Sequence, residues 1–152
     1  MMNRRDLLTK SATLAGLMAT AGLLPQAALA AWNQAAFDAK TMGDALKALG
    51  LGAPAESKDV TISGPDIAEN GAVVPLGVST GLHGVKRLMI LLEKNPSVLA
   101  AAFDVSEAME ANIATRVKMG QSSNVFGVAV MADGRVLFAQ KEVKVTLGGC
   151  GG

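Results

Sequence analysis

The amino-acid sequence predicts an all-β fold, an antiparallel sandwich with one N-terminal helix packed on it. Three observations carry that expectation. Short segments of alternating apolar and polar residues recur from Asp59 to Leu147, which is the period of a half-buried strand. Turn signals built on Gly, Pro, Asn and Asp separate them every eight to twelve residues, the spacing of sandwiches and barrels. One helical pattern is present and it precedes every strand, which argues against a parallel α/β fold, where helices and strands alternate.

Residues 1–30 stand outside this fold. Arg4 and Arg5 are followed by Leu7-Leu8, an apolar Gly- and Ala-rich run of about fourteen residues from Ser11 to Leu24, and the small-residue exit Ala28-Leu29-Ala30. Charged start, apolar centre and A-x-A exit are the parts of a signal peptide, and the paired arginines point to the twin-arginine route. The apolar run is short of the ~20 residues that a spanning helix needs. Cleavage is expected after Ala30, with the periplasm as destination. Losing Arg4, Arg5, Lys10 and Asp6 leaves 11 basic and 12 acidic residues. So even a balance carries neither a nucleic-acid footprint nor a membrane-surface one, both of which need clustered cations.

Residues 31–57 read as a helix and a linker. Phe37, Met42, Ala45, Leu46 and Leu49 lie close to helical spacing within Ala35–Leu49, and Gly50 stands where a helix stops. Gly52 to Ser57, with Pro54, reads as linker.

Residues 58–147 read as the sandwich. Val60 and Ile62 alternate with Asp59, Thr61 and Ser63. Gly64-Pro65-Asp66 makes a turn, and Glu69-Asn70-Gly71-Ala72 contains the dipeptide most typical of two-residue hairpins. Val73 to Thr80 is a strand interrupted by Pro75, so an edge or a bulge is expected there. Val85 to Glu93 is mostly apolar and ends at Lys94-Asn95-Pro96. Val98–Asp104, Ile113–Met119 and Val125–Met131 are further strands, although Ala101, Ala102 and Ala129 weaken them locally and Glu107–Ala114 is compatible with a helical turn. Asp133-Gly134 turns the chain into Arg135–Ala139. In the last strand, Glu142–Leu147, Val143, Val145 and Leu147 point one way and Glu142, Lys144 and Thr146 the other.

Residues 148–152 are the chemically distinctive segment. Gly148, Gly149, Gly151 and Gly152 surround Cys150, the single cysteine. Four glycines maximise backbone freedom and remove every neighbouring side chain, so a flexible arm is expected, reaching roughly 17 Å when extended. A narrow cleft that rejected a Cβ branch beside the sulfur would still admit it. No helix N-terminus, histidine or cation is adjacent to activate the thiol, and the carboxylate two residues on disfavours the thiolate. The thiol reads as a handle for a covalent substrate, with activation supplied by whichever partner receives it. Two competing readings stand beside it. A structural protein would use Cys150 for a mixed disulfide with a fixed partner; a thiol redox protein would want a resolving cysteine and a lowered pKa.

Other candidates are weaker. His83, the single histidine, lies among Gly81, Leu82 and Gly84 and reads as a surface loop residue. One His and one Cys make no metal-ligand set. Met42, Met89, Met109, Met119 and Met131 are scattered singly and read as core filler. Arg116 and Lys118 share one face of a strand, either to guide an anion or as a solvated face. No Ser/His/Asp set, spaced carboxylate pair or phosphate loop occurs.

The chain resembles the SoxY family of sulfur carriers from thiosulfate-oxidising systems. The likeness rests on the twin-arginine leader, on Pro65-Asp66-Ile67-Ala68-Glu69-Asn70-Gly71-Ala72-Val73-Val74-Pro75, on Glu93-Lys94-Asn95-Pro96 with Arg116-Val117-Lys118-Met119, and on the terminal Gly-Gly-Cys-Gly-Gly. The resemblance implies an immunoglobulin-like sandwich, no cofactor, and Cys150 as the point of covalent attachment. It implies a SoxZ-like subunit in a heterodimer or heterotetramer, and a c-type cytochrome that loads thiosulfate. It also implies a thiohydrolase that releases sulfate and, where present, a sulfane dehydrogenase. By this likeness the protein is a carrier subunit and not itself an enzyme.

Overall fold

A computed structural model describes residues 33–147. The leader with Arg4 and Arg5, the expected cleavage at Ala30, and Gly148–Gly152 with Cys150 lie outside the described residues.

The expected helix Ala35–Leu49 is two helices, α1 (Gln34–Asp38) and α2 (Met42–Ala48). Each has its own cap. The Asn33 side chain accepts from the Ala36 N–H, and Thr41 Oγ1 accepts from the Asp44 N–H at 3.1 Å while donating to the Asp44 carboxylate at 2.7 Å. The break is held by tertiary hydrogen bonds that no local pattern announces. Ser97 Oγ donates to the Phe37 carbonyl at 2.7 Å, Lys40 Nζ donates to the Pro96 carbonyl at 2.6 Å, and the Ala39 carbonyl accepts from the Val98 N–H. Gly50 ends α2 as expected, at φ 71°, with its N–H donating to Lys47 and that of Leu51 to Leu46, a Schellman closure.

The strands are β1 (Pro54–Glu56), β2 (Val60–Ser63), β3 (Ile67–Asn70), β4 (Val74–Thr80), β5 (Val85–Leu92), β6 (Leu99–Asp104), β7 (Asn112–Val117), β8 (Ser123–Met131) and β9 (Val136–Leu147). They form two sheets, one ordered β1-β9-β8-β5-β6 with β3 also on β9, the other β2-β4-β7. This is the expected sandwich, in immunoglobulin-like form. It departs from purely antiparallel pairing at two places, since β1 and β3 both run parallel to β9.

The larger sheet is covered on both faces. Leu88, Ile90, Leu92, Val125, Ala129 and Val143 face the smaller sheet and its Val74, Leu76 and Val78. Met89, Leu91, Val128, Val130 and Val136 face Ala36, Ala45 and Leu46 of the helices. A strand buried on both faces reads as a continuous apolar run, which accounts for Leu88–Leu92 and Val125–Met131. Gly127 lies where the sheets approach closely: a Cβ there would meet Ile62 at 2.8 Å and Val78 at 2.9 Å.

Four local expectations change. Pro54–Glu56, read as linker, is β1, in parallel register with Val136–Phe138. Asn70-Gly71 is no hairpin; it carries the chain from the larger sheet to the smaller, with Asn70 Oδ1 accepting from the Ala72 N–H at 2.8 Å. Arg135–Ala139 and Glu142–Leu147 are one strand, because β8 covers it as far as Val143 and β3 takes over from Lys144. Glu107–Ala114 forms no helix, only a turn with Met109 N–H donating to Ser106. Pro75 sits in a central strand, but on the part of β4 that β2 does not reach, since β2 pairs only from Gly77 to Thr80. The hairpin at Asp133-Gly134 is as expected, with Gly134 at φ 90°.

Candidate functional site

The site is built where the described chain hands over to the glycine–cysteine segment, at the end of β9. That end is clamped on several sides. Ser122 Oγ accepts from the Val145 N–H at 2.8 Å. The Gly71 N–H donates to the Leu147 carbonyl at 2.7 Å, and the Lys144 N–H to the Asp66 carbonyl at 2.9 Å. Thr146 Oγ1 donates to the Glu69 carbonyl at 2.9 Å. Lys141 pairs with Asp66 at 2.9 Å and donates to the Gly64 carbonyl at 2.6 Å, fastening the segment that enters β3. Backbone pairing, two hydroxyls and an ion pair together fasten the end of β9 up to Leu147.

The two internal stretches that carry the family resemblance meet at this end although their parts are far apart in sequence. Pro65–Pro75 supplies β3 and the Asn70-Gly71 turn. Met119, after Arg116-Val117-Lys118, donates its N–H to the Gly71 carbonyl at 2.7 Å. Asn95, of Glu93-Lys94-Asn95-Pro96, donates to the Lys118 carbonyl at 2.7 Å and accepts from the Gly120 N–H at 3.3 Å. Ser122 was not singled out by sequence reasoning. The first serine of Gly120-Gln121-Ser122-Ser123 carries no local signal of the partner it meets 23 residues later.

Cys150, Gly148, Gly149, Gly151 and Gly152 lie outside the described residues, as do Arg4 and Arg5. His83 is an exposed loop residue, as expected, beside a cavity of about 670 Å³ shared with Glu107, Met109 and Glu110. It stands at the other end of the sandwich, where β5 begins and β8 ends. Eleven residue steps of β9 separate that end from Leu147, roughly 35 Å at strand rise. A thiol three residues past Leu147 does not span that distance, so His83 is no base for Cys150 of its own chain. Arg116 on β7 and Lys118 just past its end are exposed and line a groove of about 570 Å³ with Phe37, Asn95 and Pro96, whose lining contains no carboxylate. Met89, Met119 and Met131 are core residues and Met42 is half-buried, but Met109 is exposed, so core filler is the wrong reading for it.

Among the described residues, no group of three or more His, Cys, Asp or Glu is placed to hold a metal ion, and no helix is long and apolar enough to cross a membrane. Two carboxyls shift clearly, both downward and both away from the arm. The Arg87 hydrogen bond lowers Asp104, and backbone and side-chain hydrogen bonds from Arg135 lower Asp133.

Fold and site thus define an immunoglobulin-like sandwich whose last strand is fastened on several sides up to Leu147, immediately before the glycine–cysteine segment. The family model described as sulfur oxidation protein SoxY matches residues 46–150. The sulfur carrier protein SoxY from Chlorobium limicola f thiosulfatophilum is 35% identical, with a TM-score of 0.60 over 68% of this chain and 96% of that one. The chain belongs to the SoxY family, sulfur carriers of sulfur oxidation. A superoxide reductase (neelaredoxin) from Ignicoccus hospitalis is similar at 18% identity and a TM-score of 0.51, covering 57% of this chain and 78% of that one; at that identity the likeness shows the fold alone. Among curated proteins, none matches this chain.

Proposed function

We propose that this chain carries thiosulfate-derived sulfur covalently on the Cys150 thiol in the periplasm and presents it to separate enzymes. The observation that supports this best is the placement of Gly148–Gly152 directly after a strand end that is clamped from several sides. A fixed root and a bare tether confine the thiol to a small volume and leave nothing beside it to collide with a cleft. The first step joins the outer sulfur of thiosulfate to the cysteine sulfur. The product is a cysteine S-thiosulfonate, one proton is released, and two electrons pass to a c-type cytochrome. Water then cleaves the bond between sulfane and sulfonate sulfur in a thiohydrolase, releasing sulfate and a proton and leaving a persulfide on Cys150. A sulfane dehydrogenase, where present, oxidises that remaining sulfur. On this reading the chain is a carrier and the catalysis belongs to its partners, with a SoxZ-like subunit completing the carrier. Arg4 and Arg5 route the chain to the periplasm.

Intact-mass measurement on protein isolated from thiosulfate-fed cells tests the proposal. Thiosulfonate and extra-sulfur adducts are expected on the native chain and none on Cys150→Ser. A stable protein partner on the thiol, or only sulfenic and sulfinic acid, would refute it. Gly149→Val and Gly151→Val are expected to leave the melting temperature unchanged and to slow loading by the partner enzymes. Normal turnover in both would remove the steric account of the glycines.

A further inference from the structure

Five large apolar side chains stand exposed among the described residues, and three of them surround the origin of the arm: Ile67 at 59%, Val73 at 55% and Leu147 at 70% exposure. The register of β3 on β9 sets Ile67 beside Lys144 and Asn70 beside Leu147. With parallel strands about 4.8 Å apart and ~3.3 Å of rise per residue, Ile67 and Leu147 lie about 11 Å apart. Val73 is two residues past Gly71, whose N–H meets the Leu147 carbonyl. The three do not share a face. Ile67 lies opposite the buried Ala68, Val73 opposite the buried Val74, and Leu147 follows the inward series of Val143 and Val145 beyond the end of the core. They form a collar around the end of β9.

The tether length says what must cover it. Cys150 is three residues beyond Leu147, so its Cα lies no more than about 10 Å from that of Leu147. An enzyme with its reacting group at the bottom of a cleft meets this thiol only if the rim of the cleft closes to within that distance of Leu147. The rim then sits on the collar. The charged residues beside the collar are Asp66 just before β3, Glu69 on it, Lys144 on β9, and Lys118 across from Val73 where the β4–β7 register continues; with two of each sign, its principal offering is apolar area.

We propose that Ile67, Val73 and Leu147 form the docking collar for an apolar cleft rim on the enzymes that accept Cys150. This rests on the carrier reading and extends it by naming the contact surface and its chemistry.

The test uses the full chain with its native thiosulfate-oxidising partner proteins and thiosulfate as substrate. Exposed positions tolerate charge without unfolding, so Val73→Glu and Leu147→Glu are expected to keep the native melting temperature. Their Cys150 should react at the native rate with a small aromatic disulfide. Each is expected to raise the KM for the carrier about tenfold or more, as loss of a desolvated apolar anchor does, with kcat little changed. Met109→Glu, equally exposed at the far end, should leave KM unchanged. Inserting five glycines between Leu147 and Gly148 should restore part of the Leu147→Glu loss, because a longer tether lets the rim stand off. A native KM in both collar variants, with turnover abolished by Cys150→Ser, would overturn the collar and leave the carrier reading standing. Turnover that survived Cys150→Ser would remove the carrier reading and the collar with it.

Discussion

Replacing Ser122 with alanine asks whether the arm root is held by the clamp described above. The substitution leaves the Val145 N–H without the acceptor it now has at 2.8 Å. The reverse donation, Ser122 Oγ to the Val145 carbonyl, is at 3.5 Å and long enough to count for little. A donor left unsatisfied costs about 1–3 kcal/mol. Val145 is only half-buried, so water takes over part of the role and the low end applies, about 1 kcal/mol. That cost falls on the opening of the last turns of β9 and not on global unfolding, since the sheet inward of Val143 keeps all its bonds. At 1.4 kcal/mol per factor of ten, amides that exchange through this opening should exchange about fivefold faster. Native-state hydrogen exchange reads it directly. Val145 and Gly71, whose N–H is bonded to the Leu147 carbonyl, should accelerate, while amides at Met89 and Val128 keep native protection. Ser122→Thr retains the hydroxyl and should restore most of the protection. Unchanged exchange at Val145 and Gly71 would refute the clamp, and equal acceleration throughout the sheets would show a global role for the hydroxyl instead.

Two further outcomes follow from the packing and the charges. Gly127→Ala pushes a methyl against Ile62 and Val78 at 2.8 and 2.9 Å. Overpacking costs about 1–3 kcal/mol and the reduced freedom of the unfolded chain returns ~0.4–1 kcal/mol, so thermal unfolding should fall by several degrees; an unchanged or raised Tm would mean the sheets yield there. Asp104, three-quarters exposed and held by Arg87 at 2.6 Å, has a carboxyl lowered by that hydrogen bond. A lowered folded pKa contributes stability that is present above the unfolded value near 3.9 and is lost as pH falls through the folded one. Asp104→Asn should therefore cost less than about 1 kcal/mol at pH 7 after solvent screening. The difference from the native chain, followed by urea unfolding, should vanish in acid below the aspartate range. A difference that persists there would assign the effect to packing.

Much of the fold is legible in the residues because strand alternation and turn chemistry are local. Val143 and Val145 face the core, as their period requires, and Asp133-Gly134 closes the hairpin that its dipeptide announces. The misreadings share one cause. Pro54–Glu56 and Ile67–Asn70 are strands of three and four residues, too short to show a period. Their partners on β9 are some eighty residues away, so nothing nearby marks them. The same holds for the break at Ala39–Thr41, which depends on bonds to the loop at Pro96–Val98 that the helical pattern of Phe37, Met42 and Leu46 cannot register.

For the site the division is sharper. By itself the sequence determined that a single thiol stands among four glycines immediately after the last strand. Those residue types also carry the steric argument for presentation, because backbone freedom and missing side chains are properties of composition. Only the tertiary structure decided where that segment begins in space and what surrounds its origin. Glu69 and Thr146 are 77 residues apart along the chain yet joined by a hydrogen bond, and Ile67, Val73 and Leu147 gather at one end only because β3 runs parallel to β9. A parallel pairing between distant segments is a choice of neighbour, and a period of two specifies the face of each side chain but never the strand beside it.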